Sequence, residues 1–175
     1  MRHVAVWIYA AAAALWAAWL PAAAAVLDDG RDAGTAVVAA ALTYRGASFV
    51  CHQDPARSFA AGKWPWPVCA RCAGLYAGAA AGACLGGVMA TRSVRRRRRA
   101  TAAVAVRLSV VRWTLAAAAL PTALLWAAER LAGLPVGNPA RAVGAVPLGA
   151  AVSWLVAVTI AGWPVTDRRD SGGVD

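Results

Sequence analysis

Apolar residues run almost without a break through four stretches of the chain, residues 4–27, 68–90, 108–128 and 142–163. Each meets the length of about 20 residues that a helix needs to cross a bilayer. The first and fourth carry no charge, the second only Arg71 near its start, and the third only Arg112. Backbone groups in lipid must bond within the chain, so these spans are expected as helices, and Pro121 and Pro147 are tolerable inside them. A fifth stretch, residues 33–50, has a different pattern. Val37, Val38, Ala41, Leu42, Arg45 and Phe49 keep helical spacing, but Thr35, Thr43, Tyr44 and Ser48 break the apolar run. It reads as a helix lying on the membrane surface or partly re-entrant. Cys51-His52-Gln53-Asp54-Pro55 then reads as a helix end and turn, because proline disfavours helix at the residue before it. Pro65 and Pro67 set an extended entry into the second span. The expected fold is all-α: a polytopic membrane bundle of four transmembrane helices plus that surface or re-entrant helix. It forms one integral membrane domain over residues 1–170, with a disordered tail at 171–175.

Composition agrees. Of 175 residues, 61% are hydrophobic, and mean hydropathy is +0.54, which excludes a disordered chain and an ordinary soluble domain. The formal net charge is +10, which in a soluble protein would point to nucleic acid. Its placement reverses that reading. Arg92, Arg95 to Arg99 and Arg107 lie between the second and third spans, and Arg112 follows at the start of the third, with no acid among them. A loop this basic stays in the cytoplasm and touches anionic headgroups, so lipid rather than nucleic acid is the expected partner. Residues 28–67 balance Arg31, Arg45, Arg57 and Lys63 against Asp28, Asp29, Asp32 and Asp54, as an outer loop should. Both termini are then expected inside. Trp64, Trp66, Trp113 and Trp163 stand near span ends, where indoles favour the interface. Arg2 and His3 before an apolar run, with small residues at 22–25, also fit a cleaved signal peptide. Cleavage would leave the downstream orientation unchanged.

Chemistry concentrates at one place. Cys51 is followed by His52, and Cys69-Ala70-Arg71-Cys72 opens the second span. A spacing of three puts both thiols on one helical face near a positively polarised N-terminus, which favours thiolate. Three sulfurs and one imidazole could close a tetrahedral site for zinc or another transition metal. Adjacent side chains in extended backbone point apart, so the fourth ligand could instead be Asp54 or water. Redox exchange between Cys69 and Cys72 with Cys51 as partner is a second chemistry. A structural disulfide or inert buried thiols is a third. Arg57 and Arg71 are candidates for charge compensation or anion binding, and together with Lys63 could hold a lipid phosphate. Cys84, about 18 Å further along the helix, reads as small packing filler. Gly74, Gly78, Gly82 and Gly86 form a ladder of step four that permits close helix approach. Its partner is a helix of this chain or of a second copy, the latter giving a homo-oligomer. No hydrolase triad, phosphate loop or dinucleotide motif is found, and Asp28, Asp29, Asp32 and Asp54 are not spaced as a carboxylate dyad.

Cys51-His52-Gln53, Arg57-Ser58-Phe59, Gly62, Pro67-Val68-Cys69-Ala70-Arg71-Cys72, Gly74, Tyr76 and Gly78 resemble the signature of the domain-of-unknown-function 2085 family of small predicted membrane proteins. The likeness covers about residues 36–90, and the later spans only by hydropathy. Ala73 stands where that family tends to carry a small hydroxyl residue. The resemblance implies an integral membrane protein with this Cys/His cluster as its signature, and leaves the chemistry open. The leading expectation is a membrane protein whose outer-face cluster binds a structural or sensory metal. One alternative is a membrane thiol-disulfide oxidoreductase passing electrons to a lipid quinone, although such a relay normally needs a second cysteine pair. Another is a lipid-binding or assembly protein with purely structural cysteines.

Overall fold

A computed structural model describes residues 2–29, 34–97, 106–162 and 165–166, and for residues 93–97, 106–107 and 165–166 the backbone alone. Trp163 and the expected tail at 171–175 lie outside the described residues, as do Arg98, Arg99 and the side chains of Arg95 to Arg97. Five helices carry the fold: α1 (Arg2–Asp28), α2 (Gly34–Ala47), α3 (Ala70–Arg97), α4 (Leu108–Leu131) and α5 (Asn138–Ile160). Four of them, α1, α3 over Ala70–Arg92, α4 and α5, are long and apolar enough to cross a membrane. Pro21, Pro121 and Pro147 sit inside helices that continue through them. The only strands among the described residues are two-residue pieces. β1 (Ala60–Ala61) and β2 (Trp64–Pro65) pair antiparallel, and β3 (Val106–Arg107) and β4 (Val165–Thr166) pair parallel.

The helix expected to lie on the surface or to be partly re-entrant is found as α2. Its 14 residues span about 21 Å at about 1.5 Å each, short of a hydrocarbon core of about 30 Å. It packs on α1 through Ala40, Thr43 and Ala47 and leaves Val38 and Leu42 exposed. Trp19 Nε1 donates to Thr43 Oγ1 at 2.8 Å, and that hydroxyl donates to the Ala39 carbonyl at 2.8 Å. The polar atoms at this contact are therefore satisfied without water.

The centre of the bundle is the α3–α5 pair. A Cβ added at Gly74, Gly78 or Gly82 would overlap the carbonyl oxygen of Ala142, Val146 or Ala150 respectively, and one at Gly149 would overlap that of Leu75. Both helices thus meet backbone to backbone along rows of step four. Gly86 lies against Ala157. The partner of the ladder is α5 of the same chain. Of the two partners the sequence allows, a helix of this chain or of a second copy, the ladder meets the first. On the other side α1 packs on α3, and Tyr9 Oη and Ser153 Oγ share a hydrogen bond of 2.8 Å between α1 and α5. Helix α4 packs chiefly on α5 and has no buried residue. Val110, Trp113, Leu120, Leu124, Trp126 and Leu131 are exposed along it, the surface a spanning helix offers to lipid.

Candidate functional site

Two stretches distant in sequence are brought together by local hydrogen bonds at the N-terminal end of α3. After α2 the chain turns over Ser48 to Val50, and Cys51 N–H donates back to the Ala47 carbonyl at 2.9 Å. Gln53 follows with a φ of 50°, a left-handed conformation that reverses the chain. Its Nε2 donates to the carbonyls of Tyr44 at 2.7 Å and Pro67 at 2.8 Å, so one amide clamps the end of α2 to the entry of α3. Tyr44 Oη donates to the Pro65 carbonyl at 2.5 Å. Asp54 caps the single 3-10 turn Pro55–Arg57, accepting from Ala56 N–H at 3.0 Å. The buried Ser58 donates to the Asp54 carbonyl at 2.9 Å. Phe59 packs on Trp66 with ring centroids 5.1 Å apart, and Trp66 N–H donates to the Phe59 carbonyl at 2.7 Å. Trp66 is therefore held by the cluster, whereas Trp64 and Trp113 are exposed as interfacial indoles would be. The β1–β2 hairpin turns at Gly62, φ 54°. Lys63 N–H donates to Asp28 Oδ1 at 2.9 Å, which fastens the loop to the end of α1.

Inside this frame the Sγ atoms of Cys51, Cys69 and Cys72 lie within 4.8 Å of one another. All three cysteines are free, and Cys69 N–H points at Cys51 Sγ at 3.2 Å. Leu20, Ala47, Val68 and Ala73 form the apolar floor, with Phe59, Trp66 and Tyr76 packed around it. The Cys69 thiol is shifted down to about 5, chiefly because Cys72 hydrogen-bonds to its sulfur, and in spite of burial. Alkylation at the Cys69–Cys72 pair by iodoacetamide should set in well below the pH at which an ordinary thiol, with a pKa of about 8.5, becomes reactive. Peptide mapping after pulse labelling checks this. The folded state releases this proton more readily than the unfolded chain. The associated stabilisation is complete only at alkaline pH and vanishes as pH falls through about 5.

Three of the four expected ligands are thus brought together, and His52 is not. It is exposed and its nitrogens lie outside the three-sulfur group. It neighbours the buried Cys51 in non-helical backbone, where successive side chains diverge. Asp54, the alternative fourth ligand, is occupied by its capping role and by Arg57 Nε at 3.4 Å. Cys84 faces outward and fills no packing gap. Arg71 is not free to neutralise thiolates alone, because its Nη2 is bonded to Glu129 Oε2. Arg141 Nε holds the other carboxylate oxygen at 2.5 Å. Arg141 Nη1 also donates to Asn138 Oδ1 at 2.7 Å, and Asn138 Nδ2 donates to the Ser58 carbonyl at 2.9 Å. Glu129, Asn138 and Arg141 are absent from the sequence-based site. The available signal was a carboxylate and an arginine bracketing the third inter-span connection, which an even-numbered topology places at the cysteine end. A cleft of about 390 Å³ opens beside the sulfurs, walled by His52, Arg57, Arg71, Arg130 and Arg141.

Four helices able to cross a bilayer and three free thiols gathered at one end of the bundle define a multi-pass membrane protein with a sulfur- and arginine-lined cleft. The family described as predicted membrane protein, domain of unknown function 2085, matches residues 51–155, well over half of the chain, and the protein belongs to it. Curated proteins and solved structures offer no match to the chain.

Proposed function

We propose that this membrane protein binds one transition-metal ion through Cys51, Cys69 and Cys72, with zinc the ion best suited to the donors. The observation that carries the reading is the convergence of three unbridged sulfurs from two chain segments. Thiolates select zinc, copper(I) and iron–sulfur centres over hard cations. Zinc–sulfur bonds of about 2.3 Å in a tetrahedron require sulfurs about 3.8 Å apart, so the cluster is within about 1 Å of that spacing. Three protein ligands leave a fourth position for water or a ligand entering the cleft, the pattern of reactive rather than purely structural zinc. A dication on three thiolates carries one net negative charge, which the surrounding guanidinium groups offset. The cluster faces the extracytoplasmic side in this reading. In support, Cys69 and Cys72 open α3 while Arg92 and the following arginines close it, and basic loops stay inside.

Metal analysis of protein purified anaerobically after growth with zinc should give close to one ion per chain. Cys51→Ser should retain less than a tenth of that. Metal-free wild-type protein, or full loading of the variant, overturns the reading. The lowered thiol at Cys69 beside Cys72 favours a second reading, dithiol–disulfide exchange. Cys51→Ser separates the two, because a redox pair would still form the Cys69–Cys72 disulfide under mild oxidation while holding no metal in either form.

A further inference from the structure

The cleft beside the sulfurs is rich in guanidinium groups beyond what its carboxylates answer. Arg57, Arg71, Arg130 and Arg141 line it. Two carboxylates serve them: Glu129, shared by Arg71 and Arg141, and Asp54, which meets the half-exposed Arg57 at 3.4 Å. Among the described residues no carboxylate pairs with Arg130, so two positive charges stand in excess. A divalent ion on three thiolates would remove one of them and leave the other. Arg71 Nε is buried with no acceptor, an uncommon state for a guanidinium nitrogen and one that an incoming oxygen would relieve. Planar guanidinium forks match phosphate oxygens in pairs. The volume of about 390 Å³ lies within the range of small-ligand sites and exceeds what a bare anion needs.

We infer that this cleft recognises a phosphate group, carried by a small phosphorylated molecule or by a lipid headgroup, with Arg57 and Arg130 at its rim and Arg71 and Arg141 at its base. The inference goes beyond the metal reading and does not need it, because Arg57, Arg71 and Arg141 are placed by Asp54, Glu129 and Asn138 rather than by the sulfurs.

Full-length protein in phosphate-free detergent is titrated calorimetrically with inorganic phosphate. In parallel, protein in phosphatidylcholine nanodiscs doped with phosphatidic acid or with diacylglycerol is assayed for retained lipid by native mass spectrometry. Arg57→Gln and Arg130→Gln, at the rim, are combined in one variant, and Arg45→Gln, on the exposed face of α2 and outside the cleft, is the control. Binding of inorganic phosphate that weakens at least tenfold in the double variant and is unchanged in the control supports the inference with a soluble ligand. Selective retention of phosphatidic acid with the same dependence supports it with a lipid. Absence of both, or binding equally strong in the double variant, overturns it. Metal content measured on the same samples keeps the two readings apart: a double variant that loads metal normally but binds no phosphate leaves the sulfur site standing.

Discussion

Gly78→Leu should break the bundle at its centre. A side chain there enters the space of the Val146 carbonyl and the Ala150 amide. Both are backbone atoms of α5, so no rotamer can relieve the overlap and the helices must part. Overpacking of a tight interior costs about 1–3 kcal/mol when neighbours can shift, and here the expected loss is at the upper end or beyond, at least about 3 kcal/mol. Thermal unfolding in detergent, followed by tryptophan fluorescence, should show a markedly lower midpoint. Cys69 and Cys72 should label faster, because the first immediately precedes α3 and the second lies in its first turn. Gly46 supplies the control. It lies on α2 with nothing within 4 Å of an added Cβ, so Gly46→Ala should be neutral or stabilise by up to about 1 kcal/mol through reduced chain entropy. Equal stability of Gly78→Leu and wild type would show that α3 and α5 do not meet along this row.

Glu129→Gln should be the most damaging change near the cleft. The carboxylate is only 10% exposed and holds Arg71 and Arg141, themselves 21% and 13% exposed. Removing one member of a buried charge pair leaves its partners uncompensated, which costs about 3–5 kcal/mol in well-shielded sites. Glutamine preserves the shape, so the deficit measured is one of charge. Arg141→Gln should cost less, because Arg71 then keeps the whole carboxylate. Chemical denaturation of the three forms orders them; a Glu129→Gln form as stable as wild type would mean that water already screens the cluster.

The membrane architecture was legible because lipid simplifies the problem. Residues 4–27, 108–128 and 142–163 had to be helices once their hydropathy was known, and α1, α4 and α5 follow them to within a few residues. The interruptions at Thr43 and Tyr44 marked α2 as non-spanning, and the structure shows why those polar atoms are there: each takes a partly buried hydrogen bond. The sulfur cluster was legible from spacing. What spacing could not supply was side-chain direction. His52 differs from Cys51 by one residue, and that one step leaves it exposed and outside the three-sulfur group. Nor could hydropathy rank Glu129, since a charge at a span end looks the same whether it meets water or two arginines. The choice between an intrachain and an interchain partner for the glycine ladder depended on α5, whose Ala142, Val146 and Ala150 carry no signal beyond being small or apolar.

The Gln53 amide holds the carbonyls of Tyr44 and Pro67 together without help from any sulfur. The junction between α2 and the entry of α3 is therefore set by the chain's own amide and carbonyl groups. Zinc fingers gain their fold from the ion; under the metal reading proposed above, an ion at this site would instead enter a frame that hydrogen bonds to the backbone already hold, so its loss would not by itself undo the loop.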